Sequence, residues 1–151
     1  MTKEELKEAM KAAMKNKEPI KLNVIRGLLT AMTNESIAKG RGGDGVLSDE
    51  ETMSVIMRAA RQRKDAIEQY EKGGRPELAA SEKEELSIIE AMLPAQMPRE
   101  EIESAAKAKA AELGITDRSK VNQLMGALMK DLKGRADGTV VRQVIDSLFL
   151  A

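Results

Sequence analysis

Apolar residues recur at intervals of three and four positions along nearly the whole chain. This spacing is typical of amphipathic α-helices, and no stretch alternates convincingly with the period of two that marks strands, so we predict an all-α fold. Seven helices are predicted from this periodicity together with proline, glycine and capping signals: residues 3–17, one from Pro19, one from Ser48 to Gly73-Gly74, one from Pro76, one from Pro98 to Gly114, residues 119–133, and one capped by Asp137.

Two prolines, Pro94 and Pro98, interrupt the periodicity within five residues. Proline is disfavoured inside a helix because it lacks a backbone N–H and clashes with the preceding turn. We therefore predict an N-terminal helical domain over residues 1–93, a four-helix-bundle-like part that contains a long helical hairpin. A linker of residues 94–97 leads to a small three-helix C-terminal domain over residues 98–151.

Six residues from Gly40 to Gly45 include four glycines. They follow no predicted strand and lack the Gly-Lys-Ser/Thr ending of a phosphate-binding loop. We predict a flexible connection between the second and third helices.

The chain has no cysteine and no histidine. Disulfides, thiolate chemistry and a histidine general base are therefore excluded. No serine lies in a nucleophile elbow, and the carboxylate clusters are interpreted as solvated charge near helix ends. We expect no catalytic residue, no metal site and no cofactor.

No segment has the run of about 18–20 apolar residues that spans a bilayer, and the N-terminus lacks the apolar region of a signal peptide. We therefore expect no membrane partner and a cytoplasmic location. The formal net charge is zero, with 25 basic and 25 acidic side chains, but residues 1–41 hold nine basic and five acidic groups. A local basic surface is thus compatible with the composition.

The segment from Met125 to Gly138 carries the strongest functional signal. Gly126 stands inside a predicted helix, where glycine costs about 1 kcal/mol relative to alanine, and such a glycine often lets a helix or a ligand come close. Lys130, Lys133 and Arg135 bunch at the end of that helix. Two interpretations stay open. The cations and Gly134 could simply end one helix while Asp137 caps the next, or the turn and its cations could hold a phosphate.

Met125-Gly126-x-x-Met129 followed by Lys133-Gly134-Arg135-Ala136-Asp137-Gly138 resembles the closing motif of the GatB/YqeY family. Three further segments agree with the free-standing YqeY-like proteins over essentially the whole chain: Lys15-Asn16-Lys17 to Leu28, Arg61-Gln62-Arg63-Lys64-Asp65, and Ile89-x-x-Met92-Leu93-Pro94.

The resemblance implies that the C-terminal part is similar to the tail of GatB, a subunit of the glutamine-dependent aspartyl/glutamyl-tRNA amidotransferase. That tail helps to hold tRNA, whereas the kinase, transamidation and glutaminase chemistry lies in parts that this chain lacks. An accessory tRNA-binding module is therefore implied, with tRNA as partner and an amidotransferase or another protein complex as a further partner. Carried over by position, the residues expected to contact the RNA backbone are Gly126, Lys130, Lys133, Gly134, Arg135 and Arg142.

Two alternatives remain at this stage. The first is a helical protein–protein adaptor that docks through the apolar seam from Met53 to Tyr70 or through methionine-rich surfaces. The second is carbon–nitrogen ligase activity with glutamine as amido-N-donor, which would reach this chain by family association only.

Overall fold

A computed structural model describes residues 1–132 and 134–149, and within these ranges the chain is helical and contains no strand. The predicted all-α class and the seven helices are confirmed. The helices are α1 Lys3–Lys15, α2 Pro19–Ala38, α3 Asp49–Lys72, α4 Pro76–Glu90, α5 Arg99–Leu113, α6 Val121–Asp131 and α7 Gly138–Leu148, with a 3-10 helix Arg118–Lys120 just before α6. Among the described residues, no helix combines the length and the apolar content that crossing a membrane requires.

The contacts divide the chain into two compact units, the first being Met1–Leu93 and the second starting at Pro94. Unit 1 holds α1 to α4, with α1 packed along α2 and α3 packed along α4. Its core is aliphatic, and the largest fully buried side chains are Leu6, Ile25, Met32, Ile56 and Ile89. Unit 2 holds α5 to α7, and each of these helices packs on the other two.

The α3–α4 hairpin uses the apolar seam that the sequence shows on α3. Ile56 and Ala60 lie in the unit 1 core together with Ile89 of α4. Further along α3, Arg63 binds two carboxylates of α4, Glu82 at 3.3 Å and Glu85 at 3.0 Å. The central part of the seam is therefore used within this chain, in the unit 1 core and in ion pairs with α4.

The connection between α2 and α3 is held by side chains from three directions. The Ser36 hydroxyl donates to the Gly42 carbonyl at 2.6 Å, and Lys3 Nζ donates to the Gly43 carbonyl at 3.0 Å. The Arg41 guanidinium donates to both oxygens of the Glu51 carboxylate, at 2.6 and 3.0 Å. The predicted free connection is thus tied to α1, α2 and α3, which its glycine content did not indicate.

Glu51 is the anchor of this arrangement and also completes the predicted cap of α3. Its backbone N–H donates to the Ser48 hydroxyl at 3.2 Å, and its carboxylate accepts from the Ser48 N–H at 2.8 Å. Such a capping box satisfies two amides that the first helical turn leaves free. The hydrogen bond from Arg41 is the largest cause that lowers the pKa of the Glu51 carboxyl to about 2, and the Ser48 N–H and Lys39 add to it.

Gly45→Ala is expected to destabilise the protein by about 1–3 kcal/mol, the usual cost of forcing atoms into filled space. A Cβ at this position would lie 2.7 Å from the Arg41 carbonyl oxygen and would clash with the buried Ser36 hydroxyl. The measurement is the midpoint of urea unfolding. Gly42→Ala is not a suitable control because Gly42 has a φ of +75°. Gly43→Ala, whose Cβ would meet Thr33 at 3.6 Å, should change stability less, and equal losses in both variants would refute the packing explanation.

Candidate nucleic-acid interface

The turn between α6 and α7 is built by local bonds that account for its sequence. Gly134 has a φ of +69°, a left-handed conformation that glycine adopts at little cost. The Arg135 N–H donates to the Leu132 carbonyl at 2.7 Å, and Ala136 is buried below the turn. The Asp137 carboxylate accepts from the Thr139 N–H at 2.7 Å and so caps α7.

These bonds bear on the two interpretations of this turn, helix capping and phosphate binding. In the structure, Gly134 has the left-handed conformation that ends a helix, and Asp137 caps α7. A phosphate at the amino end of α7 would have to compete with the Asp137 carboxylate, which already accepts from one of the amides there. Binding of RNA in this region would therefore have to come from side chains rather than from the end of α7.

The residues just before α5 hold the same turn from outside. The Gln96 side-chain amide donates to the Gly134 carbonyl at 2.9 Å, and the Met97 N–H donates to the Arg135 carbonyl at 2.8 Å. The Arg135 side chain is exposed, and its guanidinium lies 3.5 Å from the Met97 sulfur. Arg135 is thus fixed through its backbone while its charge faces solvent. Lys133, the neighbouring candidate, lies outside the described residues.

Gly126 occupies the exposed side of α6. A Cβ placed on it would have no heavy atom of the described chain within 4 Å, apart from the backbone of its own helix turn. Close packing of another helix, one of the two reasons considered for this glycine, is therefore not its role within the part of the chain that the structure covers. The room above it is open to a ligand.

Three exposed residues of α6 form one line along the helix, because Asn122, Gly126 and Lys130 follow one another at intervals of four. Arg142 of α7 reaches this line, donating to the Asn122 side-chain oxygen at 3.0 Å while pairing with Asp146 at 3.3 Å. We call Asn122, Gly126, Lys130 and Arg142 the α6 face. The sequence did not single out Asn122; its spacing of four from Gly126 is the signal that could have found it.

The charge of the α6 face is positive. Lys130 has no carboxylate within 4 Å among the described residues. Its neighbour Asp131 pairs instead with Lys109 of α5 at 2.9 Å, and this hydrogen bond is the main cause that raises the pKa of Lys109. The acidic group closest in sequence to Lys130 is therefore neutralised by another helix. Of the six residues named from the sequence, Gly126, Lys130 and Arg142 belong to the α6 face, while Gly134 and Arg135 lie at the turn that follows it.

Unit 1 contains a separate pocket of about 330 Å³ between α2 and α3. Its floor includes Ala31, Val55 and Ala59, and at its rim Arg58 pairs with Glu35 at 3.0 Å. No hydroxyl or amine nucleophile is among its lining residues: Ala31, Asn34, Glu35, Ala38, Val55, Arg58, Ala59 and Gln62. The pocket offers apolar contact and a rim of amides and one ion pair.

Ser36 and Lys39 stand three residues apart, a spacing that serine–lysine catalysis uses and that the sequence reasoning missed. The Ser36 hydroxyl is fully buried and donates its proton to the Gly42 carbonyl. Lys39 lies 3.7 Å from Glu35 and 3.2 Å from Glu51, so its ammonium group is held by two carboxylates. This pair therefore lacks the free hydroxyl that such chemistry needs. Ser104 and Lys107 have the same spacing. There the Ser104 hydroxyl donates to the Glu100 carbonyl at 3.1 Å.

Two comparisons match this chain to known proteins. A family model described as "Yqey-like protein" matches residues 3–149. The chain is also 34% identical over 89 residues to "Altered inheritance of mitochondria protein 41, mitochondrial" of Vanderwaltozyma polyspora. That match covers 58% of this chain and 46% of the relative, so the chain spans less than half of the relative's length.

Proposed function

This chain belongs to the YqeY-like family, which is related to GatB, and we propose that it is an accessory RNA-binding module. It holds the backbone of tRNA on the α6 face and on the exposed Arg135 of the turn after α6. The resemblance to the tail of the tRNA amidotransferase is the reason for proposing tRNA as the ligand. The residues of the α6 face supply the chemistry, since cations and amides bind phosphate and sugar oxygens without reading bases.

The open space above Gly126 is the observation that carries this proposal. Glycine weakens a helix interior by about 1 kcal/mol relative to alanine, and within the described ranges no side chain or helix uses the room that it leaves. A bare stretch of helix between Asn122 and Lys130 lets a sugar–phosphate backbone come close enough for both side chains to reach it.

Charge and composition support the same class of ligand. Lys130 and Arg135 are exposed cations on one helix end and the turn after it, and Asp131 is paired with Lys109. The chain has one tyrosine, one phenylalanine and no tryptophan, so it lacks the aromatic platform on which single-stranded bases stack. Recognition of folded RNA by shape and backbone fits this surface better than recognition of single-stranded sequence.

The test is binding of unfractionated tRNA to the full chain at roughly 50 and 200 mM salt. We expect micromolar or tighter affinity that falls steeply with salt. For Lys130→Ala/Arg135→Ala we expect about tenfold weaker binding at low salt. The salt slope should become shallower by about 2, one unit for each phosphate contact that is lost.

A matched control removes the same charge from the same unit. Arg99→Ala/Lys107→Ala changes two cations of α5 that belong neither to the α6 face nor to the turn after it. It should leave affinity within about twofold of the wild type, because charges outside the contact act only through the screened general field. If the wild type binds no tRNA at low salt, or if both double variants lose affinity equally, the α6 face and Arg135 do not form an RNA site.

A protein–protein adaptor is the second candidate, favoured by the α2–α3 pocket with its apolar floor. An adaptor should retain a protein partner through purification after nuclease treatment, whereas an RNA-dependent association should disappear. Ala59→Glu, which places a charge on the pocket floor, should then release the partner.

A further inference from the structure

Like unit 2 with Gly126, unit 1 contains an exposed glycine in the middle of a helix. Gly27 lies in α2, a helix of 20 residues, and a Cβ placed on it would meet no heavy atom within 4 Å apart from its own helix backbone. As at Gly126, the helix loses stability relative to alanine, and the described chain makes no use of the space. An exposed asparagine stands four residues before each glycine, Asn23 in α2 and Asn122 in α6.

The segment of α2 around Gly27 carries no negative charge of its own. From Pro19 to Asn34 the helix contains no acidic residue. Arg26 is exposed, and no described carboxylate lies within 4 Å of its guanidinium, whereas Lys21 pairs with Glu18 at 3.8 Å. We call Asn23, Arg26, Gly27 and Thr30 the α2 face. It combines one uncompensated cation, two uncharged polar side chains and open backbone, a composition complementary to a polyanion.

The turn that leads into α2 adds a second cation at a conformational cost. Lys17 has a φ of +56°, and it is the non-glycine residue with positive φ in the described part of the chain. This left-handed conformation is unfavourable for a residue with a Cβ, whereas glycine adopts it at little cost. Lys17 is exposed and, like Lys15 before it, has no carboxylate within 4 Å among the described residues. A lysine therefore stands where glycine would make the turn more stable.

We propose that the α2 face and Lys17 form a second contact surface for the RNA phosphate backbone. The proposal rests on the RNA-binding function proposed for the α6 face and extends it to unit 1. It also accounts for the modest charge of residues 117–151, six basic and four acidic groups, because each further phosphate contact adds to affinity by releasing counterions.

The test is tRNA binding by the full chain over a salt series, with Lys17→Gly/Arg26→Ala compared with the wild type. We expect about tenfold weaker binding at low salt and a salt slope that is shallower by about 2. Lys17→Gly alone should raise the Tm by roughly 2–4 °C while weakening binding. A structural role for Lys17 would move stability and affinity in the same direction, so opposite changes favour the contact.

Lys7→Ala/Lys11→Ala is the matched control. It removes two cations of unit 1 that are already paired, with Glu4 and Glu8 respectively, and it should leave the salt slope unchanged. If the wild type binds tRNA and Lys130→Ala/Arg135→Ala weakens it, while Lys17→Gly/Arg26→Ala keeps the wild-type slope, the second surface is refuted and the proposed function stands. If the wild type does not bind, both proposals fail.

Discussion

Gly126→Glu is expected to weaken tRNA binding by at least tenfold while the protein stays as stable as the wild type or becomes more stable. Glutamate is a better helix former than glycine by several tenths of a kcal/mol, and the space beside Gly126 is open, so no clash opposes the new side chain. The carboxylate would stand on the line between Asn122 and Lys130. It would repel a phosphate and, four residues before Lys130, would pair with that cation and withdraw it from the RNA.

The control for this variant is Ala108→Glu, which adds the same charge to an exposed position of α5 in the same unit. Affinity should stay within about twofold, since the added charge is screened by salt. Gly126→Ala separates bulk from charge and should lie between the wild type and Gly126→Glu in affinity. The contact would be disproved by a Gly126→Glu protein that is folded and binds tRNA with wild-type affinity.

The second large effect is expected from the buried side of the same helix. Leu124 is 0% exposed and lies in the unit 2 core. Leu124→Ala should lower the free energy of unfolding by about 2–5 kcal/mol, because it removes buried methyl groups and leaves a cavity. Urea unfolding followed by circular dichroism measures the loss. The exposed Leu78, at 38%, provides the control, and Leu78→Ala should change stability by less than about 0.5 kcal/mol.

This variant also reports on binding. A ligand that binds only the folded protein stabilises it by about 2.7 kcal/mol when present at 100 times its Kd. Saturating tRNA should therefore restore much of the stability of Leu124→Ala, and it should do so less well when Lys130→Ala/Arg135→Ala is added. Equal stabilisation in both backgrounds would place the RNA contact elsewhere on the chain.

Local signals explain what could be predicted. The starts of α3 and α7 were predicted from Ser48 and Asp137, because a capping side chain bonds amides within three residues of itself. The all-α class, the seven helices and the family resemblance were likewise confirmed. Helical periodicity and the motif from Met125 to Gly138 are patterns of residues close together in the sequence, so they can be recognised without a structure.

Long-range contacts explain what could not be predicted. The sequence marked Gly126 but left open whether a helix or a ligand needed the space, and only packing shows that the described chain leaves it empty. Arg142 reaches Asn122 across 20 residues, and Lys109 neutralises Asp131 across 22. Neither spacing has a local signature. The roles in RNA contact, including that of Lys133, stay predictions.

The bonds that hold Gly40 to Gly45 have a consequence for protein engineering. Glycine-rich connections are the usual choice for inserting a reporter or for opening new chain ends, because such segments tolerate added length. Here an insertion would disturb a segment that is bonded to Ser36, Lys3 and Glu51 through Gly42, Gly43 and Arg41. The glycine-rich segment that would usually be chosen for a tag is thus one whose bonds connect α1, α2 and α3.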